Sequence, residues 1–284
     1  MSLTNQLQHK NSEYSLELKD AIEGMSKYQD KYFDMAIVDP PYGASTKANW
    51  NLDKKHNLEG FGGEWKLSSS SWDLLKGHES FEFTFQWIKE LKRLIKPTGS
   101  IWIHSTYHNS GIVNVLSQII GLEIINEVVW YKRNAFPNLS NRRLTASHET
   151  ILWLHTGEKK RQYYFDHETA KKVYFIEDKL KMPEKQLRTV WDIPNNKSKS
   201  EIIFGNHPTQ KPLRLIERML LISAQKGWKL LVPFAGSGTE LLAGLDFGME
   251  VHGFEINKEY YDLANKRISH YFEEKVNQLK FSNG

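Results

Sequence analysis

Apolar positions along the chain fall into short runs and longer stripes that alternate. Residues 33–39 (FDMAIVD) form a compact apolar run stopped by Pro40 and Pro41, the pattern of a short buried strand. Phe81, Phe85, Ile88, Leu91 and Ile95 recur at helical spacing, and Lys96-Pro97-Thr98-Gly99 breaks that stripe. Residues 100–104 (SIWIH) predict a strand, 112–120 a helix, and 122–131 and 150–154 two more strands. Pro212 opens a clear helix with Leu213, Ile216, Met219, Leu220 and Ile222 apolar and Gly227 just past its end. Residues 229–234 (KLLVPF) predict a strand, 239–247 a helix, 250–256 a strand and 258–274 a final long helix. Strands alternating with helices predict an α/β fold on a mostly parallel sheet, with no internal repeat.

Two segments stand outside this rhythm. Residues 43–71 are rich in Gly, Ser, Asn and Lys, with Trp50 and Trp65 scattered among them and Trp72 beside them. A loop this long is expected to be functional or mobile. The second segment carries the charge. The 284 residues hold 38 basic and 34 acidic side chains, a formal net charge of +4. Residues 157–200 contribute 11 Lys/Arg against 7 Asp/Glu, so this one segment accounts for the whole excess. It also holds Tyr163, Tyr164, Phe165, Tyr174, Phe175 and Trp191. Basic and aromatic residues together suit phosphates and bases, but a lysine-rich surface insertion has the same composition.

Composition narrows the chemistry. The absence of cysteine excludes disulfide scaffolds, zinc ribbons, iron–sulfur centres and thiol nucleophiles, and fits a cytoplasmic protein. No stretch approaches the roughly 18 consecutive apolar residues of a membrane span. The first ten residues show no apolar signal-peptide core. His104, His148 and His207 are not spaced as a metal site and read as structural or hydrogen-bonding.

Two turns carry candidate chemistry. Phe234-Ala235-Gly236-Ser237-Gly238-Thr239 lies between a predicted strand and helix. Its glycines permit a tight turn and close approach of a ligand to the backbone, and the helix start favours acceptor oxygens. A dinucleotide fingerprint wants a third glycine where Leu241 stands, which disfavours a nicotinamide enzyme. Glu255, at the end of the next strand, is placed to accept hydrogen bonds from ribose hydroxyls. A plain βα turn and a surface glutamate are the alternatives. At the other end of the chain, Asp39-Pro40-Pro41-Tyr42 follows a strand directly. The prolines remove two N–H donors and leave the Asp39 carboxylate and local carbonyls as acceptors suited to an amino group. Tyr42 offers an aromatic face for a planar base. An ordinary proline turn is the alternative.

Taken together, these blocks resemble the S-adenosylmethionine-dependent amino-methyltransferases of DNA in the permuted order called the β group. In that order the DPPY block comes first, a target-recognition region second and the FxGxG block last. His207-Pro208-Thr209-Gln210-Lys211-Pro212 is similar to the family's HPTxKP block. Trp130-Tyr131-Lys132 with His148-Glu149-Thr150-Ile151-Leu152-Trp153 is similar to its W-x-K…HE-x-I-L-W region. Asp20-Ala21-Ile22 resembles its adenine-reading acidic position. The likeness spans about residues 14–275 and is weakest over 157–205.

The resemblance implies a Rossmann-like, doubly wound methyltransferase sheet with an inserted target-recognition region. It implies a catalytic half at 14–156 with a loop at 43–80, the insertion at 157–205 and a cofactor-binding half at 206–275. The implied cofactor is S-adenosyl-L-methionine, lying over Phe234, Ala235, Gly236, Ser237, Gly238 and Thr239. Glu255 would hold the ribose, Asp20, Ala21 and Ile22 the adenine, and Lys211 with Thr209 and Ser237 the methionine carboxylate. Asp39 and the Pro40 carbonyl would receive the substrate amine, with Tyr42 against the extruded base. Trp50, Trp65 and Trp72 would wall that base or pack. Arg133, Arg142 and Arg143 would contact phosphate or stay solvated. The implied substrate is adenine N6 in double-stranded DNA, since an initial Asp is commoner for adenine than for cytosine N4 in that family. No metal is implied. A homodimer and a cognate restriction endonuclease are the protein partners this reading admits. RNA or protein-amide methylation, and a non-catalytic DNA-binding or cofactor-sensing relative, are the rivals.

Overall fold

The computed structural model describes residues 14–42, 78–138, 142–159, 162–172, 185–195, 198–205 and 207–282. The loop at 43–71 with Trp50 and Trp65, together with Trp72, Tyr174 and Phe175, lies outside them.

Each expected strand and helix is present, but the strand expected at 100–104 begins at Ile95 and takes in Lys96-Pro97-Thr98-Gly99, and the final helix runs on from 274 to Ser282. The strands are β1 (Tyr14–Leu18), β2 (Phe33–Val38), β3 (Ile95–Ser105), β4 (Glu123–Tyr131), β5 (His148–His155), β6 (Val190–Asp192), β7 (Lys229–Val232) and β8 (Glu250–Glu255). The helices are α1 (Ala21–Met25), α2 (His78–Leu94), α3 (Ser110–Ile120), α4 (His167–Lys172), α5 (Lys199–Ile202), α6 (Leu213–Ser223), α7 (Thr239–Phe247) and α8 (Lys258–Ser282). Periodicity missed β1, α1, α4, α5 and β6, each of six residues or fewer, too short to show a period. Gly227 is not the end of α6. That helix stops at Ser223 with Ala224 as its cap, and Gly227, at φ +80°, makes the turn into β7.

Among the described residues the strands join one eight-stranded sheet in the order β1-β8-β7-β2-β3-β5-β4-β6. All neighbours run parallel except those of β5, which is antiparallel to β3 and β4. Side chains of β2 alternate between the faces: Met35 and Ile37 enter one core cluster, Ala36 and Val38 the other. α1, α2 and α3 cover the second face, and α6, α7 and α8 the first. The α2 stripe explains its docking. Trp87, Ile88, Leu91 and Leu94 are all fully buried, each worth about 1.5–3 kcal/mol of transfer free energy. The first face is dominated by tryptophan. Trp102 and Trp153 stack with ring centroids 4.9 Å apart, and Trp191 leans on Trp102 at 5.9 Å. The indole N–H groups here donate to Ser223 Oγ from Trp102, to Ser100 Oγ from Trp153 and to the Ile193 carbonyl from Trp130. Trp191, Tyr163 and Phe165, from the basic aromatic segment, therefore serve this core, and β6 joins that segment to the sheet beside β4. Among the described residues no helix is long and apolar enough to cross a membrane.

Candidate active site

The chain from β2 runs into β3 on one side, while β7 lies on the other, so the sheet order reverses at β2/β7. Ligands in open parallel sheets bind beyond the carboxyl ends of strands at such a point. Met35 pairs with Leu230 and Ala36 with Leu231, which brings the Asp39-Pro40-Pro41-Tyr42 turn beside the glycine loop. The two loops face one cavity of about 270 Å³.

The glycine loop is built to expose backbone. Gly236 and Gly238 have φ of +50° and +78°, which L side chains rarely adopt. A Cβ on Gly238 would also sit 3.0 Å from the Ala264 Cβ. Arg267 reaches in from α8 and donates from Nη1 to the Ser237 carbonyl at 2.6 Å and the Thr239 hydroxyl at 3.1 Å, clamping the loop from behind. Glu255 braces it from the next strand. One of its oxygens accepts the Gly236 N–H at 2.8 Å and the other the Asn257 N–H at 2.7 Å. Burial pushes the Glu255 carboxyl up, and those backbone donors pull against it. β1 pairs with β8 so that Leu18 lies opposite Glu255, which carries Asp20 and Ala21 to the same cavity. Asp20 also caps α1, accepting the Glu23 N–H at 3.0 Å.

Across the cavity, Asp39 sits in a buried charge cluster. Lys211 Nζ donates to its two oxygens at 2.8 and 2.7 Å. The same nitrogen lies 2.8 Å from the Tyr42 hydroxyl and 3.2 Å from the Thr209 carbonyl. Tyr42 donates its hydroxyl to Asp39. Burial, then Asp39 and Glu149, hold the Tyr42 hydroxyl well above its ordinary pKa, so it remains a proton donor. Burial alone favours neutral Lys211, but the Asp39 and Glu149 carboxylates outweigh it and raise the ammonium above its ordinary value. Glu149 Oε2 is 3.7 Å from Lys211 Nζ, and its Oε1 accepts from Lys132 at 2.9 Å. Glu240, in the first turn of α7, is buried on the cavity wall. Burial, then the charge of Asp39, pushes its carboxyl up to about 7.

Of the residues expected at the site, Asp20, Ala21, Asp39, Pro40, Tyr42, Thr209, Lys211, Phe234, Ala235, Gly236, Ser237 and Glu255 line this cavity. Ile22 instead packs toward the core below α1, and Gly238 and Thr239 lie behind the loop under Arg267. Lys211 faces Asp39 rather than open space. Arg133, Arg142 and Arg143 stand outside the cavity on the loops at the same sheet edge. Arg133 makes a two-point ion pair with Asp192 at 2.9 and 2.8 Å, and Arg143 donates to the Tyr107 hydroxyl at 2.9 Å. Glu149, Glu240, His207 and Tyr260 were not singled out as site residues from the sequence. His207 packs against Tyr260 with centroids 4.1 Å apart, beside Gly236. The position of Glu240 directly after the glycine loop was the signal available for it. Among the described residues no group of three His, Cys, Asp or Glu side chains is arranged to hold a metal ion.

An exposed glycine backbone, a carboxylate one strand away and an aromatic-lined cavity at the switch point fit a nucleoside cofactor next to an amine acceptor. This fold and site define an S-adenosylmethionine-dependent methyltransferase. A family model described as DNA methylase matches residues 33–266. Among curated proteins, the chain is 34% identical over 251 residues to the type II methyltransferase M2.DpnII of Streptococcus pneumoniae, covering 88% of this chain and 87% of that one. It is 34% identical over 249 residues to the type II methyltransferase M2.MboI of Moraxella bovis, covering 87% and 85%. Among solved structures, the M1.HpyAVI–SAM complex aligns with a TM-score of 0.61 at 24% identity, over 90% of this chain and 98% of that one. The cytosine-N4-specific PvuII DNA methyltransferase aligns at 0.67 and 14%, over 94% of each. The chain belongs to the N6/N4 DNA methyltransferase family, and it is a site-specific DNA methyltransferase that uses S-adenosylmethionine.

Proposed function

We propose that the acceptor is the exocyclic N6 amino group of adenine, extruded from double-stranded DNA into the cavity. The observation that carries this reading is the Asp39 carboxylate, set at the end of β2 beside the glycine loop in one cavity. A paired, stacked base cannot bring its amino nitrogen to such a recess, so extrusion is required. Asp39 and the Pro40 carbonyl accept the two amine hydrogens, and this turns the nitrogen lone pair toward the methyl donor. S-adenosylmethionine supplies that methyl group on a positively charged sulfur. Glu255 takes the ribose hydroxyls on lone pairs its backbone contacts leave open, and Asp20 and Ala21 flank the adenine. Thr209, Lys211 and Ser237 lie toward the amino-acid end. Rate gain comes from positioning and fixed charge, which needs no side-chain nucleophile.

Residues 14–156 and 206–275 act as the catalytic and cofactor halves, with 157–205 reading the target. Arg133, Arg142 and Arg143 approach phosphates from the sheet edge. We place the enzyme in the cytoplasm beside a cognate restriction endonuclease. Light scattering tests whether it works as a homodimer. Duplex DNA incubated with protein and cofactor, then read by modification-sensitive sequencing, tests the main claim. N6-methyladenine at one recurrent sequence is expected, and N4-methylcytosine overturns the choice of base.

A further inference from the structure

Lys211 is a cation shared between two anions, and only one of them is served. Its hydrogen bonds go to Asp39, Tyr42 and Thr209, four acceptor atoms for three ammonium protons. Glu149, at the start of β5, is the second anion. Its Oε1 is taken by Lys132, but its buried Oε2 has no hydrogen-bond partner and lies 3.7 Å from Lys211 Nζ. A buried carboxylate oxygen left unsatisfied is costly. A shift of Nζ by about 1 Å would give it a charge-assisted bond of ordinary length. His104 is fully buried beside the pair, neither ring nitrogen bonded, and burial, then Lys211, pushes it down to about 3 against the pull of Glu149, so it is neutral.

The arrangement matters because an amine that takes the methyl group, as the sulfonium's S–CH3 bond breaks and a neutral thioether leaves, gains positive charge until it passes a proton to solvent. That charge needs Asp39 as its counter-ion, and an ammonium 2.7 Å from the same oxygen opposes it. We propose that Glu149 is a positioning residue for methyl transfer: it is the buried carboxylate that takes Lys211 over when an amino group occupies Asp39. In this structure Lys211 bonds both Asp39 oxygens, and Glu149 Oε2 is the unserved acceptor beside it. This inference rests on the reading of Asp39 as the amine acceptor.

Glu149→Gln keeps the shape and an oxygen for Lys132 while removing the charge that draws Lys211. Single-turnover methylation of duplex DNA at saturating cofactor is expected to fall at least tenfold, with cofactor affinity by calorimetry unchanged within threefold. In a Lys211→Gln background, Glu149→Gln is expected to change the rate less than twofold, because no cation remains to relocate. A purely structural role for Glu149 gives the same loss in both backgrounds and overturns the proposal, as does a Glu149→Gln rate within twofold of wild type. A crystal structure of the wild-type complex with DNA and cofactor product gives a reading independent of variant folding. Lys211 Nζ is expected within hydrogen-bond distance of Glu149 Oε2, and an Nζ still bonded to both Asp39 oxygens beside a seated amine overturns the proposal. Asp39→Asn separates the two levels. If it retains full rate, the acceptor reading fails and takes this inference with it. If Asp39→Asn is inactive while Glu149→Gln is fully active, only the role of Glu149 fails.

Discussion

Asp39 and Glu255 end parallel strands two places apart in the sheet and face the same cavity, yet they are held in opposite ways. Glu255 is fixed by backbone N–H groups from Gly236 and Asn257, and among the described residues no cation is bonded to it. Asp39 is held by side chains, a tyrosine hydroxyl and a buried ammonium. Backbone donors cannot leave, so Glu255 presents a constant surface suited to neutral hydroxyls. The Lys211 ammonium is on a flexible stem and can leave. The binding side of the site is preorganised and the reacting side is guarded.

The largest effect should come from breaking the reacting side. Asp39→Asn should lower single-turnover methylation by at least about 10³-fold, at the upper end of what one charge-stabilising group supplies. Cofactor affinity measured by calorimetry should stay within about threefold. A comparable loss of cofactor affinity would erase the division between the two carboxylates. Glu255→Ala should do the reverse. Cofactor binding should weaken about 10–100-fold, the loss of one or two hydrogen bonds to a charged acceptor. The rate at saturating cofactor should fall far less.

Glu240 is a third carboxylate on the same wall, and there its own backbone N–H and the charges of Lys211 and Arg267 do not offset burial. Its carboxyl is pushed up to about 7, first by burial and then by Asp39, while the unfolded chain titrates near its ordinary value. Below that ordinary value the group is protonated in both states and costs nothing. Between that ordinary value and about 7 the unfolded chain has released its proton while the folded protein keeps its own, so stability falls across this window and levels off above it. Glu240→Gln should therefore gain on the order of 1 kcal/mol in urea melts at pH 8 and little at pH 4.5. The smallest effect belongs to the sheet edge. Duplex DNA binding should fall steeply with salt, and Arg133→Ala should lower the log–log slope by about one. The ion pair with Asp192 must open for that contact, which keeps the change in affinity modest.

Much of this was legible in the chain. The stripe in α2, the apolar run of β2 and the glycine turn before α7 each state their element locally, because period and turn chemistry act over a few residues. The two loops of the site were legible as motifs for the same reason. Pieces too short to carry a period were not. β1 buries little beyond Leu16 and becomes a strand only because β8 offers it an edge. β6, three residues long, exists because Trp191 and Ile193 fit under β4. The aromatics of 157–200 illustrate the limit: basic neighbours suggested bases or phosphates, while Trp191, Tyr163 and Phe165 pack into the tryptophan core.

Local sequence is enough for the alternation of strands and helices, the backbone freedom of Gly236 and Gly238, and the carboxylates at the ends of β2 and β8. Which charges meet depends on the folded chain. Lys211 lies 172 residues from Asp39, and Glu149 reaches the same ammonium because β5 runs antiparallel and starts at the sheet edge where β2 ends. Such pairings depend on strand order and direction, which are global properties. Their energies depend on burial, and burial is set only when the chain has closed over them.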